Sequence, residues 1–394
     1  MITKPFGNSQ LPLLSFGAMR LPTKENGQID EGKVEEMVAY AMAHGVNYFD
    51  TAHPYHEGMS EVVMGRVLSH YPRESYYLAT KYPGHQLAER YDVAAVFEEQ
   101  LKKCGVDYFD FYLLHNVCET SLDTYLDPKW NIIPYLLEQK KQGRIRHLGF
   151  STHGLLPNMK AFLEIWGHEM EFCQIQLNYL DWTLQKGKEK YELLKAYHIP
   201  VWVMEPVRGG ALARLTSEQA KVLTDMRPHE SVVSWAFRFL MGLDEVKVIL
   251  SGMSNIDQVK QNISTFETNA PLSEEETAQL LAMAESLKSS IPCTACGYCK
   301  DKCPMKLDIP MFLATWNDIR VFPSLNAAMR VELLPESQKP DVCVGCGACT
   351  RICPQKIDIP TELARFAEKL EAMPKWADIS KAREEKAKQM RTQS

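Results

Sequence analysis

The sequence predicts an eight-stranded (β/α)8 barrel of the TIM type, followed by a small, mainly helical domain. Three observations predict this fold. Short strand patterns alternate with amphipathic helix patterns, the alternation is repeated eight times within about 250 residues, and a cysteine-rich segment with helical stretches follows. A doubly wound sheet is the alternative, but no G-x-G-x-x-G run follows the first strand, so the barrel is favoured.

The barrel strands are predicted from short runs of β-branched and aromatic residues. They cover residues 13–19, 48–51, 76–81, 109–115, 145–151, 172–176, 201–205 and 246–250. The helix patterns between them cover residues 32–44, 60–69, 93–104, 134–141, 157–166, 188–197 and 231–241. Residues 2–14, with Gly7 and Asn8 at their centre, predict a hairpin ahead of the barrel.

Four polar residues lie where predicted strands end, which is the end of a TIM barrel that carries the chemistry. Asp50 ends the second strand, and Tyr55 lies a few residues further on. Lys81 ends the third strand and His115 ends the fourth. Because an ammonium beside a phenol stabilises the phenolate, we expect the pKa of Tyr55 to lie below its usual value of about 10. Together the four groups can protonate an oxygen while a hydride reaches its carbon.

Composition and charge exclude several classes of protein. Hydrophobic residues make up 45% and charged residues 24% of the 394 residues, as in ordinary globular proteins. The formal net charge of −6 provides no basic stripe, so we expect no nucleic-acid partner. No apolar run is long enough to span a bilayer and no targeting segment precedes the barrel, so we expect no membrane association and a cytoplasmic location.

Eight of the eleven cysteines form two identical runs with the spacing C-x2-C-x2-C-x3-C-P. This is the ligand spacing of bacterial two-cluster ferredoxins, in which the fourth cysteine of each run binds the other [4Fe–4S] cluster. One cluster therefore takes Cys293, Cys296, Cys299 and Cys353, and the other takes Cys343, Cys346, Cys349 and Cys303. A disulfide framework belongs to short secreted chains, and a zinc ribbon has separate C-x2-C pairs, so iron–sulfur ligation is favoured. The single cysteines Cys104, Cys118 and Cys173 are expected in the core.

The repeat also predicts the domain organisation. Residues 303–310 and 353–360 are two copies of one unit, and the helical patterns at 311–316 and 326–334 between them favour a helical ferredoxin-like domain. We expect a barrel over residues 1–270, a linking helix over 271–290 with a capping signature at 272–276, the cluster domain over 291–366, and a charged tail over 367–394.

The first 270 residues resemble the aldo-keto reductase family. The resemblance rests on Phe49, Asp50, Thr51, Ala52, Tyr55, Ser60, Glu61, Thr80, Lys81, Leu114 and His115. It implies that Tyr55 is the general acid/base, Lys81 modulates its pKa, and Asp50 holds Lys81. It further implies that His115 orients a substrate carbonyl. With the cysteine runs, and with residues 17–22 (Gly-Ala-Met-Arg-Leu-Pro), the whole chain is similar to the ferredoxin-bearing branch of this family.

The resemblance also implies a nicotinamide cofactor. Ser151 and Gln174 match the residues that contact its carboxamide, although the family's usual asparagine after that serine is Thr152 here. Met204 stands where an aromatic residue normally stacks on the nicotinamide. The adenosine-phosphate loop matches at Ser254, Asn255, Gln258 and Asn262. Lys260 is the cation nearby, so the sequence favours a dinucleotide without choosing between NADP and NAD.

Three functions remain open at this stage. A nicotinamide passes two electrons at once, whereas each cluster accepts one, so a bound flavin is a possible intermediary. In the first case the barrel is a carbonyl/alcohol oxidoreductase connected to the clusters and to a redox partner such as a ferredoxin or flavoprotein. In the second case it performs ordinary nicotinamide chemistry, and the cluster domain is a structural or docking module. In the third case the barrel is inactive and the chain only transfers electrons, which the intact set of four polar residues disfavours.

Overall fold

The structure is a computed structural model that describes residues 1–84, 92–119, 121–287, 291, 293, 296–321, 325–353, 355–382 and 385. The chain forms two compact units, Met1–Leu281 and Ala282–Ser394. The predicted tail beyond residue 385 lies outside the described residues.

The first unit is a closed barrel of eight parallel strands, as predicted. A two-stranded antiparallel hairpin precedes it, β1 (Thr3–Phe6) and β2 (Ser9–Pro12), with Gly7 in the turn at a φ of 53°. The barrel strands are β3 (Leu14–Gly17), β4 (Tyr48–Asp50), β5 (Tyr77–Tyr82), β6 (Phe109–Leu114), β7 (Ile145–Thr152), β8 (Cys173–Gln176), β9 (Val201–Met204) and β10 (Val246–Ser251). They pair in chain order, and β10 closes the barrel on β3.

Helices follow the strands. They are α1 (Glu31–Ala43), α2 (Met59–Leu68), α3 (Val93–Cys104), α4 (Leu122–Leu126), α5 (Ile132–Lys141), α6 (Leu156–Trp166), α7 (Asp181–Leu184), α8 (Gly187–Ala196), α9 (Ser217–Met226), α10 (Val232–Met241), α11 (Ile256–Thr265) and α12 (Glu274–Leu287). The sequence did not predict α4, α7 and α9. The first two are too short to display a helical period, and α9 buries only Leu223, so it lacks an apolar stripe.

Aromatic side chains close the N-terminal end of the barrel. Phe6 of the hairpin packs edge-on against the indole of Trp202, with 5.0 Å between the ring centroids. The Trp202 indole N–H donates to the Tyr48 hydroxyl at 3.0 Å, which satisfies two polar groups inside the barrel. Leu11 of the hairpin is fully buried in the same cluster. The opposite, C-terminal end is therefore the one left for a functional site.

The second unit is helical over its described residues, in agreement with the prediction. Its helices are α13 (Ile309–Val321), α14 (Leu325–Glu332), α15 (Ala348–Ile352) and α16 (Ile359–Glu371). The core contains Phe312, Trp316 and Phe366, and the last two rings stack at 5.5 Å. The duplication is visible in the backbone, because α13 and α16 begin at residues fifty positions apart in the two copies.

Candidate functional site

The centre of the barrel mouth is a buried ion pair. Lys81, near the end of β5, is fully buried, and its Nζ donates to Asp50 Oδ1 at 2.6 Å and to the Thr51 carbonyl at 2.7 Å. Burial alone would lower the pKa of Lys81, but the charges and hydrogen bonds of Asp50 and Tyr55 together outweigh it, and the pKa is raised. The lysine is therefore a fixed positive charge.

Tyr55 and His115 lie beside this charge. The Lys81 ammonium is 5.0 Å from the centroid of the Tyr55 ring, and the Tyr55 and His115 rings meet edge to face at 6.0 Å. The Tyr125 hydroxyl contacts the carbonyl oxygen of His115 at 2.8 Å and that of Tyr82 at 3.1 Å, so it ties the ends of β5 and β6 together. The structure thus brings the four predicted residues into one site.

The expected direction of the Tyr55 pKa is wrong. Burial raises the pKa of the phenol, and it outweighs the opposing effect of the Lys81 charge. The sequence identified the neighbouring ammonium but gave no measure of how dry the hydroxyl's surroundings are. The phenol is therefore protonated at neutral pH, which suits a proton donor.

A buried polar network behind Lys81 was missed by the sequence analysis. Gln100 of α3 donates through Nε2 to the Lys81 carbonyl at 3.1 Å and to Glu61 Oε1 at 2.6 Å. Thr80 donates to the same Glu61 oxygen at 2.7 Å, and the Tyr112 hydroxyl donates to Gln100 Oε1 at 2.5 Å. These bonds fix the strand that carries Lys81. A glutamine on the apolar side of a predicted helix was the available signal.

The turn that carries Tyr55 is strained. His56 and Glu57 have φ angles of 50° and 53°, in the left-handed region that residues with a Cβ seldom adopt. The Leu21 N–H donates to His56 Nε2 at 3.1 Å and anchors the turn to the segment after β3. Such strain persists only where surrounding contacts hold it, so the position of Tyr55 is over-determined by its neighbours.

Two residues on adjacent strands offer polar atoms to a cofactor. Ser151 of β7 and Gln174 of β8 are paired in register, and both are buried. Within the described part of the chain, Gln174 Oε1 has no hydrogen-bond partner, whereas Ser151 Oγ accepts from the Asn116 N–H at 2.9 Å. A carboxamide NH2 is the complementary donor for that buried oxygen. The Thr152 hydroxyl instead donates to the Val117 carbonyl, inside the protein.

The predicted phosphate loop is largely occupied by its own side chains. Asn255 caps α11 by accepting from the Gln258 N–H at 2.9 Å, and Gln258 Oε1 accepts from the Ser254 N–H at 2.8 Å. Asn262 donates to Ser251 Oγ at 3.0 Å. The Lys260 ammonium lies 5.5 Å from the centroid of the Tyr40 ring. Met204, at the end of β9, is partly exposed.

A second charged cluster lies at the mouth, and the sequence analysis missed its two carboxylates, Glu205 and Asp181. Glu205 follows Met204 with a φ of 55°, and its carbonyl accepts from Asn178 Nδ2 at 3.0 Å. Burial, reinforced by the nearby Asp181 carboxylate, raises the pKa of Glu205 to about 7. Arg208, whose Nη1 is 3.4 Å from Asp181 Oδ1, opposes this shift. Glu205 is also close enough to Tyr55 for its charge to raise the pKa of the phenol.

In the second unit the eight predicted cysteines line two cavities. The Cys303 cavity is lined by Cys303, Cys343, Cys346 and Cys349, and the Cys353 cavity is lined by Cys353, Cys293, Cys296 and Cys299. They enclose about 310 and 330 Å³ of space, part of it open to solvent. Each cavity combines three cysteines of one run with the fourth cysteine of the other, which is the exchanged arrangement that the spacing implies.

The donor set fits iron–sulfur clusters better than single ions. Among the described residues, no three His, Cys, Asp or Glu side chains converge closely enough to hold one metal ion. A tetrahedral zinc site needs sulfurs about 2.3 Å from a single point, whereas these thiols surround a larger space. Burial raises the pKa of Cys299 to about 11. Binding of a cluster must therefore displace thiol protons.

The chain matches two family models. The aldo/keto reductase family matches residues 13–285, which is more than half of the chain. The protein belongs to the aldo/keto reductase family. A 4Fe-4S dicluster domain matches residues 292–359. This aldo/keto reductase is therefore an NAD(P)-linked oxidoreductase with a C-terminal iron–sulfur domain, as the sequence predicted.

Individual relatives cover the barrel. The NADH-specific methylglyoxal reductase of Escherichia coli is 25% identical over 306 residues, covering 67% of this chain and 91% of that protein. The holo form of the aldo-keto reductase AKR11C1 from Bacillus halodurans is 26% identical with a TM-score of 0.58, covering 72% of this chain and 96% of that one. An aldo/keto reductase from Klebsiella pneumoniae in complex with NADP and acetate is 20% identical with a TM-score of 0.57, covering 72% and 95%, and it supports the fold alone.

Every helix in the described ranges is too short or too polar to cross a lipid bilayer.

Proposed function

We propose that this aldo/keto reductase interconverts a small carbonyl compound and its alcohol at Tyr55, and exchanges electrons through two [4Fe–4S] clusters. The observation that carries the barrel chemistry is the buried Lys81–Asp50 ion pair beside the Tyr55 ring. Burying two charges costs desolvation free energy. Their location against a phenol at the open end of the barrel therefore favours a chemical role over a packing role.

In carbonyl reduction Tyr55 donates the proton. Burial keeps the phenol neutral near pH 7, and the Lys81 charge stabilises the phenolate that remains after transfer. Asp50 holds Lys81 in place, and His115 orients the carbonyl oxygen towards Tyr55. In alcohol oxidation the same groups act in reverse, with the phenolate accepting the proton.

Ser151 and Gln174 would hold the nicotinamide carboxamide. The buried Gln174 Oε1, which lacks a hydrogen-bond partner in the described structure, supports this assignment. Met204, on the neighbouring strand, would pack against the ring through its sulfur and methylene groups. When bound, the nicotinamide supplies or accepts the hydride. Ser254, Asn255, Gln258 and Asn262 would line the adenosine phosphate, and both NADP and NAD are compatible with them.

The cysteines of the Cys303 and Cys353 cavities would each hold one cubane. When bound, each cluster supplies one-electron transfer. A ferredoxin or flavoprotein that meets the second unit would exchange these electrons, in a reducing compartment that we take to be the cytoplasm. A bound flavin would convert a hydride into single electrons, but no described residue set favours one. We retain the domain boundaries 1–270, 271–290, 291–366 and 367–394.

The experiment that tests the barrel site uses Tyr55→Phe, with methylglyoxal as the first carbonyl probe because a relative reduces it. Phenylalanine keeps the packing and removes the proton donor, so kcat should fall by about 10²–10⁴-fold. Tyr77→Phe is the matched control, because Tyr77 lies at the other end of β5 from Lys81. A Tyr55→Phe enzyme with the wild-type kcat on any genuine substrate would move the chemistry elsewhere.

A further inference from the structure

Part of the backbone around the two cysteine cavities is the same in both copies of the repeat. The Lys306 N–H donates to the Cys303 carbonyl at 3.0 Å, and the Lys356 N–H donates to the Cys353 carbonyl at 3.0 Å. The φ angles of the two lysines are 53° and 54°. These turns therefore present the same backbone dipoles to both cavities, whereas residues 298–302 of the first copy form turns and their counterparts 348–352 form α15.

The aliphatic linings also match at fifty-residue spacing. The Cys303 cavity has Leu307, Ile309, Pro360 and Leu363, where the Cys353 cavity has Ile357, Ile359, Pro310 and Leu313. Each pair has the same polarity and a similar volume. These four pairs thus provide no difference between the two sites. Val344 also lines the Cys303 cavity, and its repeat counterpart lies outside the described residues.

Formal charge is balanced as well. The segments that form the Cys353 cavity, residues 293–302 and 353–360, carry three cations and two anions. The segments that form the Cys303 cavity, residues 343–352 and 303–310, carry two cations and one anion. Both sites therefore have a formal net charge of +1. Arg351, which donates to the Cys346 carbonyl at 3.2 Å, is exposed, and solvent screens its charge.

A further difference, among the described residues, is in polar side chains. Gln355 lines the Cys353 cavity where its repeat counterpart Met305 lines the Cys303 cavity. Gln355 is exposed, whereas Met305 is partly buried against the apolar core. Tyr298, 58% exposed, also lines the Cys353 cavity, and its repeat counterpart, Ala348, lines neither. The described lining of the Cys353 cavity thus has two side chains that can donate hydrogen bonds, whereas that of the Cys303 cavity has none besides its cysteines.

We propose that Gln355, assisted by Tyr298, makes the two clusters inequivalent, so that the cluster bound in the Cys353 cavity has the higher reduction potential. The inference rests on the proposed function, because it requires two [4Fe–4S] clusters. Each cluster gains one electron and one unit of negative charge on reduction. Hydrogen-bond donors and water stabilise that added charge, and both raise the potential of iron–sulfur clusters.

This difference sets the order in which the pair fills. The first electron supplied by a one-electron reductant resides in the Cys353 cavity, and the second enters the Cys303 cavity. Cys299 and Cys349, one from each cavity, are buried in the same hydrophobic core, so the two sites are neighbours. The asymmetry therefore gives the pair a direction, with the Cys353 cavity as the acceptor end.

The test is an anaerobic redox titration of the reconstituted full-length protein, with dithionite and mediators, followed by electron paramagnetic resonance. The wild type should reduce in two one-electron steps with at least a tenfold preference between the sites, equal to 59 mV for a one-electron couple. Gln355→Met should lower the higher of the two reduction potentials and leave the lower one unchanged. Gln355→Glu should lower the higher potential further, because a carboxylate opposes the added negative charge. Met305→Gln should raise only the lower reduction potential.

Iron and spin counts separate the possible failures. About eight irons and two spins at full reduction would confirm two clusters. If the wild-type clusters then have the same reduction potential, or if Gln355→Met leaves both potentials unchanged, the proposed difference between the clusters is wrong. If Gln355→Met loses iron, Gln355→Glu and Met305→Gln still decide the question, since each must move one step in its stated direction. About four irons, or stoichiometric zinc, would overturn the proposed cluster pair and the inequivalence with it.

Discussion

Replacing Lys81 by methionine should cost stability because it leaves a charge behind. The Lys81 side chain is fully buried, that of Asp50 is 4% exposed, and 2.6 Å separates their charged atoms. In the described structure Asp50 Oδ2 has no hydrogen-bond partner, so Lys81 is the main compensation for this carboxylate. Breaking a buried pair from one side costs about 3–5 kcal/mol of unfolding free energy. The exposed pair of Arg66 and Glu31 provides the contrast, since Arg66→Met should cost about 0–1 kcal/mol.

A double variant separates stability from catalysis. Replacing both partners, as Lys81→Met with Asp50→Leu, removes both buried charges and should restore the unfolding free energy to the wild-type value or above. The rate should stay low, because nothing then stabilises the Tyr55 phenolate. Urea unfolding followed by circular dichroism measures the first quantity, and initial rates of methylglyoxal reduction measure the second.

Two outcomes would refute this reasoning. If Lys81→Met unfolds with the same free energy as Arg66→Met, the burial argument is wrong. If the double variant keeps the wild-type rate, the positive charge beside Tyr55 is not needed for the reaction, and Lys81 only stabilises the fold.

Three further predictions concern other parts of the molecule. The pKa of Glu205 is raised from 4.5 to about 7, so its stabilising neutral form is lost as the pH rises through 7. Glu205→Gln should therefore gain up to about 3 kcal/mol of unfolding free energy at pH 8 and little at pH 4.5. Equal gains at the two pH values would contradict this. Cys296→Ser should reduce the iron content by about half, whereas Cys118→Ser, outside both cavities, should retain all of it. Gln174→Leu should weaken NAD(P)H binding, measured by calorimetry, by about 1–3 kcal/mol, and unchanged affinity would remove Gln174 from the cofactor site.

Much of the fold could be predicted because local patterns carry it. Each barrel strand is a short β-branched or aromatic run, and Gly7 and Asn8 mark the turn of the hairpin. The linking helix begins as its capping signature indicates, with Ser273 and Glu276 exchanging side-chain to backbone bonds. In the cluster domain the repeat of residues 303–310 at 353–360 predicted two similar structural units. These signals depend on residues close together in the chain.

What the sequence missed depends on contacts between distant residues. Gln100 joins Glu61 and Tyr112 only after three separate elements pack, and no spacing rule predicts that network. The Tyr55 pKa required a comparison of burial with charge, and only three-dimensional packing fixes burial. Glu205 follows a strand pattern, and its pKa is raised to about 7 first by burial and then by the carboxylate of Asp181, which lies at the start of α7.

The most direct test of the account is whether nicotinamide electrons reach the clusters. Full-length, iron-loaded protein with oxidised clusters is titrated anaerobically with NADPH and with NADH while visible absorbance and paramagnetic resonance are recorded. One NAD(P)H gives up two electrons and a proton, so we predict that, with a flavin supplied to pass the electrons singly, it reduces both clusters, one electron each, and that dithionite adds no further change. If the clusters stay oxidised under excess NAD(P)H but are reduced by dithionite, the barrel and the clusters do not form one electron path.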